Sequence, residues 1–524
     1  MMTKSNGTLL LMVALFLASY IYSIRNKIKD LEEGHQSMMA RVEPNIEEFT
    51  YVIVGGGIAG VTCAEHLHIL HPEERTLVIT ASPMIKTVTN ILPVTKILES
   101  FDVEERPARQ LQDTYPNLTV VKDTVIGLDS AKQHVLTSSG KCFSFQKLCL
   151  CNGATPKIIA PNSPHVVWIR DTESAQQFQA RIQNAKRILI IGNGGIATEM
   201  VYEVREIEII WAIKDRHMTA HFIDPGAAEF LRSELNQEKT PTSAPTKRTK
   251  FTVDNTKNTE EHQLGGALGP DWHADLELRG KAQRTVTLET EVEVARIMEP
   301  AEFNKEGKTL TLLHDNEEEW PVYAELTNGK VYGCNFIVSA IGVTPNTSEF
   351  TKGNNLELGE DGGFLVDDKM KTSVKNIFAA GDVCSPGWKL AKHWFQMRLW
   401  TQARHMGMYV AKCMWAEVVG EEVYQDFCFE LFVHTTKFFG HKVILLGLFN
   451  GQNLSDKYEV LLRVTKGTEY VKCIMEDGRL QGAVLIGETD LEETFENLIL
   501  DQLDLSHFGA DLLHPGVDIE DFFD

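Results

Sequence analysis

Apolar residues fill positions 49–54, apart from Thr50, and lead without a break into Gly55-Gly56-Gly57-Ile58-Ala59-Gly60. A short apolar run bounded by glycines predicts a parallel strand buried on both faces, and the apolar spacing after Gly57 predicts a helix. The pattern recurs at 187–191, followed by Gly192-Asn193-Gly194-Gly195-Ile196-Ala197 and a helix through Val204. Two strand, glycine-turn, helix units whose first glycines lie 137 positions apart predict two Rossmann-like nucleotide-binding units of an α/β fold. The sequence shows no other internal repeat.

Apolar runs at 148–151 and 336–340 read as further strands, and 322–326, the turn Asn328-Gly329 and 334–339 read as a hairpin. A helix is expected at 396–413. Alternation beyond Phe427 predicts strands at 427–432, 443–446, 470–475 and 483–486, then a helix at 491–505. The last hundred residues therefore read as a separate α+β domain. Residues 233–284 are rich in Lys, Thr, Pro and Glu, interrupted only briefly by Ala267-Leu268 and Trp272, and read as a long surface insertion.

Composition narrows the possibilities. At 524 residues the chain exceeds what one core supports, and 43% hydrophobic with 24% charged residues suits a folded protein of three or four domains. The net charge of −22 repels phosphate backbones, so direct nucleic-acid binding is not expected. None of the nine cysteines forms a Cys-x-x-Cys pair, which fits reduced thiols in a cytosolic compartment. One stretch stands apart: residues 8–24 carry no charge, with Lys4 before them and Arg25, Lys27 and Lys29 after. Its 17 residues are borderline for a membrane span, which needs roughly 20. As an anchor it would leave the body facing the cytosol; a removable or unused leader is the equal alternative.

The glycine turns carry the chemistry. Gly55 permits the tight turn, Gly57 lets the backbone approach a pyrophosphate, and Gly60 lets helix pack on strand, with the helix N-terminus facing the negative charge. Gly192, Gly194 and Ala197 take the same roles in the second unit. A third signal is Ile377-Phe378-Ala379-Ala380-Gly381-Asp382, a strand ending in Gly-Asp, whose carboxylate suits a ribityl hydroxyl. Cys149 and Cys151 alternate on a buried strand and read as core thiols rather than a redox pair. His66, His68 and His71 do not share one helix face and read as a solvated helix end rather than a metal site.

The order of these motifs, with Gly153 after the strand at 148–151 and Gly342-Val343-Thr344-Pro345-Asn346 after that at 336–340, resembles the pyridine nucleotide-disulfide oxidoreductase superfamily. The resemblance runs from about Phe49 to Asp524 and includes stretches 53–65, 147–154, 190–197, 268–273, 397–404 and 486–500. It implies two Rossmann-like dinucleotide-binding domains, one for FAD and one for NAD(P)H, each three-layered, with an α+β C-terminal domain. The expected order is a leader and linker 1–48, FAD domain 49–160, NAD(P)H domain 161–334 with its insertion 233–284, FAD domain resumed at 335–420, and C-terminal domain 421–524. Carried over, Gly55, Gly57, Gly60, Gly153 and Asp382 match FAD positions. Gly192, Gly194, Ala197 and Glu199 match NAD(P)H positions, Glu199 lying close to nicotinamide and flavin as a candidate catalytic residue. Trp400, near the start of the helix after Gly-Asp, is expected at the flavin edge.

Four departures refine the expectation. Residues 80–111 lack the Cys-x4-Cys of the superfamily's disulfide reductases, and the C-terminal His-Pro-Thr segment is missing. The second strand of the FAD unit ends Val78-Ile79-Thr80-Ala81-Ser82, where an acidic residue would hold the adenosine ribose, so the expectation is that FAD affinity rests on the Thr80 or Ser82 hydroxyls instead or is weaker. The strand at 209–213 also ends without an acid and meets Lys214, which leaves NADH against NADPH open. The expectation is thus an FAD-dependent NAD(P)H oxidoreductase without a redox-active disulfide, monomeric in its enzyme core. The resemblance further implies cytoplasmic and nuclear placement and a protein partner, the tRNA ligase complex, protected from oxidation. A redox-sensing binding protein, or a reductase of a small iron–sulfur carrier, are the alternatives. The tail 511–524 interleaves Val517, Ile519, Phe522 and Phe523 with acids, and is expected to dock on a partner or on this chain's own C-terminal domain.

Overall fold

The computed structural model describes residues 46–235, 272–273, 276–313, 319–455, 457–514 and 516. The apolar segment 8–24, most of the insertion and the tail beyond Gly516 lie outside the described residues. Among those described, no helix is long and apolar enough to cross a membrane.

The first apolar run becomes strand Ile46–Val54 at the centre of a mainly parallel sheet. Val54 stands opposite Ile79 of strand Thr76–Thr80 on one side and Leu150 of strand Cys142–Leu150 on the other. Leu150 in turn faces Ala379 of strand Ile377–Ala379. The carboxyl ends of four strands therefore meet at one edge, where a parallel sheet offers a crevice. The strand interiors are buried because both faces are covered, which explains the continuous apolar runs.

The second sheet is wholly parallel, in the order Val166–Val167, Phe336–Ser339, Arg187–Ile191, Glu208–Ala212, Thr285–Glu289. This corrects the expected hairpin at 322–339. Strand Val322–Leu326 pairs antiparallel with Val331–Cys334, and Phe336–Ser339 leaves that hairpin to pair with Arg187–Ile191. The boundary expected at 334/335 accordingly falls after Ser339. The end of the expected insertion is also structural: Arg284 is buried and donates to the carbonyls of Val201, Val204 and Leu235.

The C-terminal sheet is antiparallel, in the order Val433–Phe438, His441–Gly447, Arg479–Ile486, Glu469–Glu476, Glu459–Thr465. Val443, Leu445, Tyr470, Val484 and Ile486 face the second domain, with Phe222, Ala227 and Ala228 in the same core. Ile444, Leu446, Cys473 and Leu485 face Phe495, Leu498 and Ile499 of helix Glu492–Asp501. That two-sided burial is the origin of the alternation. Residues 427–432, expected as a strand, instead begin with a 3-10 turn, Phe427–Phe429, whose entry is capped by the Asp426 side chain. Their aromatics serve other neighbours: Phe429 packs on Trp388, Trp394 and Tyr409, and Phe432 stacks on Phe395.

The helix expected at 396–413 is Trp400–Val419, closed by Gly420 at φ 82°. Its start is delayed because Gln396 donates to the Cys384 carbonyl and the Gln402 side chain accepts from the Met397 N–H, holding 396–399 extended. This helix crosses helix Ile58–Leu70 closely, since a Cβ on Gly407 would stand 2.5 Å from the Ala59 carbonyl oxygen. The crossing sets Gly381-Asp382 beside the first glycine turn.

Candidate active site

A cavity of about 710 Å³ opens where the two Rossmann units and the C-terminal sheet meet. Its wall includes Gly55, Gly57, Thr80, Gly153 and Asp382 from the first unit and Gly195, Ile196 and Glu199 from the second. Gly60, Gly192, Gly194 and Ala197 do not line it. Gly60 lies beneath the turn, where a Cβ would be 2.1 Å from the Gly55 carbonyl oxygen. Gly192, at φ 125°, is likewise pressed on the Ala340 carbonyl, and Ala197 is buried in helix Gly195–Glu203.

The four glycines at the two turns divide into two kinds. Gly55 sits at φ 124° with Cys151 oxygen 2.2 Å from any added Cβ, so it is required by the backbone itself. Gly57 and Gly194 are the N-caps of their helices, and a Cβ on either meets nothing within 4 Å. Each leaves open space in front of a helix N-terminus, the arrangement that admits an anion to within reach of the backbone N–H groups.

A cation stands in the same wall. The Arg170 guanidinium leaves Nε and Nη1 buried without a protein partner, and burial lowers its pKa despite Asp171, Asp382 and Glu173 nearby. Buried guanidinium N–H groups left without an acceptor are costly unless a bound group completes them. Burial pushes the Asp382 carboxyl up, opposed by Arg398 and Arg170. Arg398 ties that corner down by donating to the Asp382 carbonyl at 2.8 Å and to Asp361 at 2.6 Å.

Thr80 is buried at its strand end and donates to the Ser82 carbonyl at 3.2 Å, while the Ser82 hydroxyl accepts from the Met84 N–H. Thr80 reaches the cavity and Ser82 does not. The acid missing from that strand has a neighbour: Asp123, following strand Leu118–Lys122, lines the cavity next to Thr80. Burial acts to raise its pKa, but hydrogen bonds from Ser139, Ser138, Thr137 and the Thr124 N–H outweigh this and bring it down to about 2. An ionised carboxylate is thereby kept at this end of the cavity.

Glu199 faces the cavity and accepts a hydrogen bond from Trp272 Nε1 at 2.6 Å, while His273 lies 3.4 Å from Glu203 on the same helix. Trp272 and His273, expected within a loose insertion, thus return to the second unit's helix. Residues 343–350 form another part of the wall, and Trp400 with His434, Thr436 and Phe438, alternate residues of strand Val433–Phe438, closes a further side. Arg170, Asp123 and His434 were missed by the sequence reading. None of the three left a signal in the spacing, and strand Val433–Phe438 lies between the strands expected at 427–432 and 443–446.

Cys149 and Cys151 are buried with their sulfurs 3.4 Å apart, and burial pushes the Cys149 thiol well up. Both sit in the first core with Cys63, and Cys151 also reaches the cavity wall on the first unit's side. His71 bonds the Tyr51 hydroxyl at 2.8 Å and His66 the Thr62 carbonyl at 3.0 Å. Residues 80–111, where a reductase of disulfides would place its cysteines, form the hairpin Met84–Pro93 and Glu99–Pro107 followed by a short helix, Ala108–Thr114.

Two strand, glycine-turn, helix units, the first giving its turn and the second the start of its helix to one cavity, define the fold of a class of oxidoreductases. The chain belongs to the pyridine nucleotide-disulphide oxidoreductase family, whose model matches residues 49–268 and 273–407. Residues 433–503 match the rubredoxin NAD+ reductase C-terminal domain. Among its relatives is the Homo sapiens protein named pyridine nucleotide-disulfide oxidoreductase domain-containing protein 1, 52% identical over 93% of this chain and 99% of that one. The Drosophila melanogaster protein of the same name is 43% identical over 90% of this chain and 99% of its own length. A ferredoxin reductase from Rhodopseudomonas palustris shares the fold with a TM-score of 0.63 at 18% identity, covering 90% of this chain and 99% of its own. The family and its structural neighbours are oxidoreductases.

Proposed function

We propose that this chain is an FAD-dependent NAD(P)H oxidoreductase that passes hydride from nicotinamide to flavin without a redox-active disulfide. The observation that carries this reading is one cavity bounded by both turn–helix units, with open space at Gly57 and, in its wall, an Arg170 whose Nε and Nη1 have no hydrogen-bond partner in the protein. Bound flavin and reduced nicotinamide supply the redox chemistry, one accepting the hydride the other gives. The chain's residues place and shield them. Gly57 and the N-terminus of helix Ile58–Leu70 receive the FAD pyrophosphate, Arg170 balances its charge, Asp382 takes the ribityl hydroxyls, and Thr80 with Asp123 faces the adenosine. Gly153 at φ 65° shapes the wall beside Arg170. Gly194 and helix Gly195–Glu203 receive the pyridine nucleotide, and Glu199 faces its reacting end. Trp400 and the C-terminal strand exclude water from the same space.

A second reading is favoured by that last wall. Because His434, Thr436 and Phe438 close one side of the cavity, reduced flavin is screened from large acceptors, which suits a slowly reoxidised sensor protein that protects a partner. The tRNA ligase complex is proposed as that partner on the resemblance alone. Anaerobic titration with NADH and with NADPH, followed by admission of air, tests both readings. Stoichiometric bleaching of flavin supports the oxidoreductase, slow recovery in air supports the sensor, and flavin that neither nucleotide reduces contradicts both.

A further inference from the structure

His434 is wholly buried on strand Val433–Phe438, yet it belongs to the cavity wall. Its ring is held on three sides. Trp400 lies 5.2 Å away between ring centroids, Phe222 lies 6.2 Å away, and Nδ1 is 3.2 Å from the Thr401 hydroxyl. The other nitrogen, Nε2, is buried and has no hydrogen-bond partner in the protein. A buried ring nitrogen left unpaired is costly, so a group the protein itself does not supply is expected there.

The neighbours decide which tautomer is present. Among the described residues the Thr401 hydroxyl has His434 Nδ1 as its hydrogen-bond partner and no carbonyl to donate to. A hydroxyl has one hydrogen to place. If Nδ1 carried the proton, that hydrogen would be stranded in a buried site. If Thr401 donates to Nδ1, both groups are satisfied and Nε2 carries the proton. Burial pulls the pKa of this ring down to about 3, so it remains neutral at physiological pH. The result is a single N–H donor, without a protein partner, on a residue of the cavity wall.

The position of the donor points to its acceptor. Phe222 follows the second Rossmann unit's loop and is the side chain nearest a Cβ on Gly195, at the start of that unit's nucleotide-binding helix. Ile196 and Glu199 of that helix share the cavity with His434. This end therefore receives the reacting ring of a pyridine nucleotide, whose neutral acceptor is its carboxamide oxygen. Glu199 offers a carboxylate that accepts only, which suits the amide hydrogens of the same group.

We infer that His434 is a specificity-determining residue for the pyridine nucleotide, donating from Nε2–H to the nicotinamide carboxamide oxygen, with Thr401 holding the ring in the donor tautomer. The inference rests on the two-nucleotide reading above and deepens it. It gives the C-terminal domain a direct part in recognising the reductant.

The test measures binding to the oxidised flavoprotein by calorimetry. His434→Phe retains an aromatic ring and removes the donor, so NAD+ should bind about 10-fold more weakly or worse. ADP-ribose, which lacks the nicotinamide, should bind as to the unaltered protein. The unaltered protein should also prefer NAD+ to its thionicotinamide analogue, a poorer acceptor, and His434→Phe should lose that preference. Equal weakening of NAD+ and ADP-ribose, or no weakening of either, overturns the inference. If His434→Phe releases flavin, Thr401→Val provides the second arm: it frees the tautomer and should weaken NAD+ by about 3-fold or more with ADP-ribose unchanged. Equal NAD+ affinity there overturns the inference as well. Unaltered protein that binds neither nucleotide and is not bleached by NADH defeats the underlying functional reading instead, an outcome distinct from both.

Discussion

The carboxylate of Glu496 accepts a hydrogen bond from the hydroxyl of Thr95, 401 positions earlier in the chain, and takes the N–H groups of Lys96 and Ile97 as well. Glu496 is fully buried on helix Glu492–Asp501, and Thr95 belongs to the tip joining strands Met84–Pro93 and Glu99–Pro107. The C-terminal domain thus clasps the first domain's hairpin at its tip. Glu496→Ala strands three donors and should destabilise the protein by about 2–4 kcal/mol, read by chemical denaturation.

The pH dependence of that clasp has a definite sign. Burial raises the Glu496 pKa above its ordinary 4.5 despite the hydrogen bonds, so its contribution to stability is greatest below 4.5 and declines as pH rises through the raised value. The cost of Glu496→Gln should therefore shrink as pH rises through that window, measured as the difference in unfolding free energy between variant and parent. A cost that grows with pH contradicts the assignment.

Gly55 and Gly57 should fail differently. Gly55→Ala forces a Cβ onto the Cys151 carbonyl at φ 124° and should lower stability whether or not a ligand is present. Gly57→Val meets open space and should fold normally, yet purify with little or no flavin. Melting temperature and flavin absorbance on the two variants separate the cases.

Arg170→Met removes a guanidinium whose Nε and Nη1 have no hydrogen-bond partner in the protein, and with it the charge that offsets the burial of Asp382. FAD affinity of the apoprotein should fall by about 10-fold or more, followed by fluorescence quenching on reconstitution. Unchanged affinity would remove Arg170 from the cofactor site.

Thiol chemistry should be dispensable for flavin reduction. Burial pushes the Cys334 and Cys413 thiols up to about 12 and raises Cys63, Cys149 and Cys384, so few thiolates form in the folded state. Iodoacetamide applied to the native protein should leave NADH-driven bleaching intact, with mass spectrometry reporting which cysteines reacted. Loss of bleaching with flavin still bound would reveal a thiol relay.

What the sequence made legible was local. The glycine turns can be read because Gly55, Gly57, Gly192 and Gly194 answer constraints set within a few residues of themselves, and the Gly381-Asp382 ending follows the same logic. Pairing is less legible. Residues 334–339 read as one strand because Cys334 and Phe336 are both apolar, although Asn335 between them marks the passage from an antiparallel hairpin to a parallel sheet. Strand Glu459–Thr465 was overlooked because it lies at a sheet edge with Val460, Leu462 and Val464 exposed, so its pattern does not mark a buried face. Arg170, Asp123, His434 and Glu496 could not be found by spacing, since each acquires its role from residues brought close only by the fold.

The central claim is that two nucleotides meet in one cavity, each held by its own glycine turn. Gly194→Val places a side chain in open space at the second turn and leaves the first untouched. Stopped-flow mixing with NADH under anaerobic conditions, on protein matched for flavin content, tests the claim most directly. The account predicts normal flavin content, normal bleaching by dithionite, and NADH-driven reduction slowed by at least about tenfold at a fixed subsaturating concentration. Reduction by NADH at the unaltered rate, with valine in place and flavin bound, would contradict it.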